Sequence, residues 1–158
     1  MQKDKFFIEK ITVEGTTQLC LKGVIDEDSD FTDIKKETGP IHLNLSGITG
    51  INSLGIRMWV NFWRELSSTP IFYIECPPVI VRQMSMIPSF SGHARVVSVY
   101  APYVCNSCEF EKQVLVSSSQ LESNPPQIPE LIPCTQCKEG EMELDGSPRQ
   151  YFSFKRDK

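Results

Sequence analysis

The chain has 158 residues and a net charge of −4, with 20 acidic side chains against 16 basic ones. That length holds one ordinary domain with a real core plus a small appendage, and rules against two full-sized domains. The acidic balance argues against a polyanion binder.

No apolar run approaches the length of a membrane span, and the opening MQKDKFFIEK has neither an apolar h-region nor a small-residue cleavage site, so a soluble, cytoplasmic protein is expected. Residues 6–14, FFIEKITVE, and 18–24, QLCLKGV, carry β-branched and aromatic residues in partial alternation around the turn GTT, which predicts a β-hairpin. DEDSDFTDIKKETG then places acids first and Lys35 and Lys36 near the end, with Gly39 and Pro40 as a stop; this order suits the helix dipole and predicts a short helix. PIHLNLSG alternates Ile41, Leu43 and Leu45 against His42, Asn44 and Ser46, as a strand does, and SGITG is read as a turn. From Ser53 the period changes. Ile56, Trp59, Val60, Trp63 and Leu66 recur at helical steps, with Arg57, Asn61 and Arg64 opposite, and the two tryptophans fall on the core face. PIFYIEC predicts a strand, PPVIVRQMSMIPSF a helix opened by prolines, and ARVVSVYAPYV a further strand. The order β-β-α-β-α-β-α-β implies a mixed, partly parallel sheet covered by helices over residues 1–101, because parallel neighbours need helical crossovers.

Residues 102–158 have a different texture. A CxxC pair and a strand, a Pro-rich loop (LESNPPQIPEL), and a second CxxC pair followed by a hairpin through DGSPRQ to Phe152 and Phe154 predict a small β domain. Cys105, Cys108, Cys134 and Cys137 have the spacing of a four-cysteine zinc ribbon, in which backbone amides of each knuckle face the sulfurs and four thiolates close a tetrahedral site. With no position left for water, the zinc expected there is structural and not catalytic. A redox CxxC would need a helix N-terminus after a strand, which neither pair offers. Cys20 and Cys76 stand alone among apolar neighbours and are read as core. Residues 101–158 hold six lysines or arginines against nine acids, and the basic side chains Lys155, Arg156 and Lys158 cluster in the tail. Phosphate-backbone affinity rests on cationic contacts, so nucleic acid is disfavoured as a partner. No catalytic constellation is visible: His93 has no evident partner, and with His42 it exhausts the histidines.

LKGVIDEDSDF, GPIHLNLSGITGINSLGIRMWVNFWREL and PIFYIECPPVIVRQMSMI together resemble the STAS domain, the family of anti-sigma-factor antagonists. The resemblance covers about residues 6–100. It implies a serine at the start of the second helix that a partner kinase phosphorylates, and that serine maps to Ser53, followed by Gly55 and Ile56. Asn52 stands where the family usually has Asp, and Leu54 where it usually has Ser or Thr. It also implies a partner surface, which Asp26 would join near the first helix; Asp26 reads equally well as a cap. On physical grounds a phosphate is well tolerated at a helix N-terminus but adds nearly two charges to a surface, and Arg57, four residues on, lies on the same face. Asn52 or Ser53 would in any case cap the helix. The function expected is that of a non-enzymatic bacterial signalling protein. It binds a protein partner, an anti-sigma factor or serine kinase, through the STAS-like domain, with Ser53 as a phosphorylation switch. The alternative is a nucleic-acid-associated regulator using the ribbon and the basic tail.

Overall fold

The computed structural model describes residues 5–37, 39–66, 69–123 and 127–154. The fold is mixed α/β, with a five-stranded mixed sheet and a second, four-stranded antiparallel sheet. In the first sheet β1 (Phe7–Val13) pairs antiparallel with β2 (Thr16–Ile25), and β2, β3 (Ile41–Ile51), β4 (Ile71–Ile74) and β5 (Arg95–Val96) run parallel in sequential order. The crossovers carry α1 (Thr32–Lys35), α2 (Ser53–Glu65) and α3 (Pro78–Met86). Crossovers that all step in one direction and share the right-handed rule put their helices on one face of the sheet.

That face carries Leu19, Leu21, Leu43, Leu45 and Tyr73, all buried. Trp59 lies over them, fully buried. Its indole N–H donates to the Tyr73 hydroxyl at 3.2 Å and to the Phe90 carbonyl at 3.0 Å, and Phe31, Trp63 and Phe90 pack against its rings. The opposite face is occupied by half-buried side chains, including Cys20, His42, Asn44 and Phe72, with His42 stacked on Phe72 at 4.9 Å. Cys76 is fully buried, and desolvation pushes its thiol well above the ordinary range.

The acidic segment forms one helical turn only, because its short polar side chains bond to nearby backbone. The Asp28 N–H donates to Asp26 Oδ1, the Asp26 N–H to Ser29 Oγ and the Thr32 N–H to Asp30 Oδ1, which leaves only Thr32–Lys35 to wind. SGITG is not a turn. β3 runs on through it to Ile51, and its glycines sit at register shifts against β2, where a Cβ on Gly47 would lie 2.6 Å from Lys22 Cγ.

The strand expected at ARVVSVYAPYV divides at Val97. Its N–H closes the first sheet on the Tyr73 carbonyl, and β6 (Ser98–Cys105) then begins the second sheet, so a boundary drawn at residue 101 falls inside β6. The physical reason lies in β4, which ends at Ile74. Glu75 turns away with φ 52, its N–H bonded to Ser98 Oγ, and only an isolated bridge from Cys76 to Val99 continues the pairing.

The second sheet runs β7 (Glu111–Ser117), β6, β9 (Glu141–Leu144), β8 (Ile132–Pro133). A short helix, α4 (Ser118–Glu122), follows β7 through a capping box made by Ser117 and Gln120. The return strand expected at Phe152 and Phe154 is absent. Pro148 cannot donate to a ladder and instead opens α5 (Pro148–Tyr151), which buries Tyr151 and Phe152. The basic tail at Lys155, Arg156 and Lys158 and part of the Pro-rich loop lie outside the described residues. No helix among the described residues is long and apolar enough to cross a membrane.

Candidate functional site

Two places draw together the residues singled out from the sequence. The first is the cysteine cluster. Cys105 ends β6 and Cys134 follows β8, while β9 lies between those strands, pairing Cys105 with Met142 on one side and Pro133 with Glu141 on the other. The sheet therefore delivers both knuckles to one end. All four Sγ atoms lie within 4.8 Å of one another, and two cross-knuckle pairs, Cys105 to Cys137 and Cys108 to Cys134, are both 3.7 Å apart. Zinc–thiolate bonds of about 2.3 Å arranged tetrahedrally place sulfurs about 3.8 Å apart, so the cluster has the dimensions of a four-thiolate metal site. The thiols are free.

Backbone amides are aimed at the sulfurs. The Ser107 and Cys108 N–H groups donate to Cys105 Sγ at 3.3 and 3.4 Å, the Gln136 N–H to Cys134 Sγ at 3.4 Å, and the Gly140 N–H to Cys137 Sγ at 3.3 Å. Such bonds favour the thiolate. The N–H groups of Cys108 and Ser107 hold the Cys105 thiol below its ordinary range, that of Cys137 does so for Cys134, and those of Glu139 and Gly140 for Cys137. At Cys108 the Phe110 N–H pulls downward, but desolvation and the surrounding sulfurs of Cys105, Cys137 and Cys134 together outweigh it and push the thiol up to about 12. A set of four sulfurs with oriented amides, in which the fourth thiolate is opposed by the other three, is matched by a divalent, borderline-soft cation.

Three supports of this cluster lie outside the cysteines. A Cβ on Gly140 would sit 2.4 Å from Cys105 Sγ, so only glycine lets the second knuckle close on the first. Glu109 and Lys138, each the residue after the second cysteine of a pair, both hold the left-handed conformation, at φ 64 and 65. Asn106 ties the knuckles together: its N–H donates to the Glu141 carbonyl at 3.0 Å and its Oδ1 accepts from the Glu141 N–H at 3.2 Å. Gly140 is open to sequence reasoning as the one glycine close after a CxxC pair; Asn106, Glu109 and Lys138 carry no distinguishing signal.

The second place is the start of α2, at the C-terminal ends of β2 and β3. Asn52 is the N-cap. Its Oδ1 accepts the Gly55 N–H at 2.8 Å, and its Nδ2 donates to Glu27 Oε2 at 2.9 Å. Ser53 is the first helical residue, exposed, and its hydroxyl makes no hydrogen bond among the described residues. Arg57 is exposed one turn further along, and Leu54 beside Ser53 is 50% exposed. Gly55 has a reason apart from any motif: a Cβ there would meet the Ile25 carbonyl at 2.3 Å, so α2 approaches the end of β2 only because that side chain is missing.

Asp26 departs from expectation. It is 8% exposed, fastened in the turn after β2, and α1 begins at Thr32 behind an N-cap, Phe31, that makes no side-chain bond. It therefore caps no helix and offers a partner little surface. His93, expected to lack a partner, has one: its Nε2 lies 2.7 Å from the Thr69 carbonyl.

No protein-family model, curated protein or solved structure matches the chain.

Proposed function

We propose that the chain is a non-enzymatic regulatory protein whose α/β part is STAS-like and binds a protein partner, with phosphorylation of Ser53 as the switch. The observation that carries this reading is the division of labour at the start of α2. Asn52 satisfies the capping role, so the adjacent exposed hydroxyl of Ser53 is not committed to holding the helix. A phosphate added there meets free helix N–H groups and the positive end of the dipole, and Arg57 stands one turn away to pair with it. Its charge would alter the surface without disturbing the fold beneath. The antiparallel hairpin followed by parallel strands and intervening helices is in keeping with the STAS resemblance of residues 6–100. The partner that resemblance implies is an anti-sigma factor or serine kinase.

For the cysteine cluster we propose Zn²⁺ held by Cys105, Cys108, Cys134 and Cys137. The ion supplies cross-linking and folding energy to the second sheet, and with all four positions taken by sulfur it has no place for a substrate.

The test of the switch combines phosphopeptide mapping of the protein from its native cells with capture on two baits, Ser53→Ala and Ser53→Glu. Phosphate on Ser53, together with a regulatory protein retained by the Ala bait and lost at least about tenfold from the Glu bait, is the expected result. An unmodified Ser53 and identical retention by both baits would remove the switch.

A further inference from the structure

Where the helices of the two sheets meet, α3 and the segment from β9 through α5 enclose a cleft of about 780 Å³. Small-ligand sites fall in this size range and favour junctions of this kind. Its floor is fastened: the Ser85 hydroxyl donates to the Tyr151 carbonyl at 3.0 Å, and the Tyr151 hydroxyl donates to the Tyr100 carbonyl. Arg82 from α3 and Arg149 from α5 both line the cleft and are exposed. Neither makes an ion pair or a side-chain hydrogen bond among the described residues. The carboxylate of Asp145, which shares the cleft, pairs with neither of them.

Two guanidinium groups that line one cleft from different elements, neither paired with the Asp145 carboxylate there, can be joined by an anion entering between them. Among the neutral donors of the lining are the hydroxyls of Ser147 and Ser153, both uncommitted among the described residues. The rim is apolar at Met86, which is 67% exposed, an uncommon display for a flexible thioether suited to irregular partners. The same wall carries Gln83, whose Oε1 is buried and has no partner among the described residues.

We propose that this cleft binds a small phosphomonoester, its phosphate held between Arg82 and Arg149 with Ser147 and Ser153 as further donors, and its organic part lying along Met86. A carboxylate, with two oxygens and a single charge, is satisfied by one guanidinium fork; a phosphate, with three free oxygens and nearly two charges, uses two and leaves an oxygen for a hydroxyl. Because the cleft joins α3 to α5, its occupant bridges the α/β part to the part bearing the cysteines, at a distance from Ser53. The site thus stands independently of the phosphorylation switch.

The experiment is an amide NMR titration of the full, metal-loaded chain with phenyl phosphate. Saturable shifts centred on residues 82–86 and 145–153 are expected. Arg82→Gln and Arg149→Gln each weaken binding about tenfold or more, whereas Arg95→Gln, an exposed arginine away from the cleft, leaves it unchanged. Met86→Ser weakens phenyl phosphate but not inorganic phosphate. Since both cleft arginines are exposed, an unchanged spectrum outside the cleft certifies each variant as folded. The proposal is overturned if no saturable shift arises, if Arg95→Gln weakens binding as much as the cleft variants do, or if benzoate binds as tightly as phenyl phosphate.

Discussion

At the scale of single residues, the start of α2 separates two roles that adjacent polar side chains usually confound. Asn52 holds the Gly55 N–H, and Ser53 holds nothing among the described residues. Asn52→Ala is therefore expected to cost about 1 kcal/mol of stability, the usual worth of an N-cap, whereas Ser53→Ala stays within about 0.5 kcal/mol, as for other exposed positions without partners. Urea unfolding of both variants checks the order, and an equal loss would return the cap to Ser53. Both residues are visible as candidates in NSLG, since each belongs to the capping set. What decides between them is the extended backbone of Asn52, φ −105 and ψ 175, which follows from how β3 ends and not from the side chains themselves.

At the scale of elements, legibility tracks local periodicity. α2 and the cores of the parallel strands follow from alternation and helical repeat, because those patterns record which face is buried. The failures are places where a partner far along the chain decides. β3 outlasts its alternating stretch because its glycines fit against β2, and a continuous apolar run divides at Val97 because β4 has turned away at Glu75. The capping box opening α4 is written in SSSQ, but a helix of one turn has no period to find. The cysteine cluster is legible in its four sulfurs, whose spacing in the sequence is that of a metal site, and hidden in its supports. Gly140 is the most consequential of these. Gly140→Ala forces a methyl group against Cys105 Sγ, and a strain of about 1–3 kcal/mol is expected to lower metal affinity by about tenfold to a hundredfold. Competition against a chromogenic chelator measures it; unchanged affinity would mean that the knuckles can separate without loss.

Across the whole molecule, the two sheets draw on different sources of stability. The first has a thick core in which Trp59, Tyr73 and Phe90 meet the buried leucines Leu21, Leu43 and Leu45. In the second, strands β8 and β9 are only two and four residues long, and the cysteine cluster is expected to serve as their fastening. Removing the metal with a chelator is expected to raise amide hydrogen exchange in β6, β8 and β9 while β2 and β3 stay protected and the fluorescence of Trp59 and Trp63 holds. Exchange that rises uniformly through both sheets would show a single cooperative unit. Exchange that rises in neither would show that the sulfurs contribute little to folding.

The passage of one strand from sheet to sheet also governs how the chain can be divided. A fragment ending at residue 101 keeps the first half of β6 and its bridge to Cys76 but removes β7, leaving Val99 and Ala101 on a strand edge open on that side, which invites edge-to-edge aggregation. A fragment ending at Val97 keeps the last backbone bond of the first sheet, but it takes Ser98 away from the Glu75 and Cys76 N–H groups and leaves the buried Cys76 backbone unpaired.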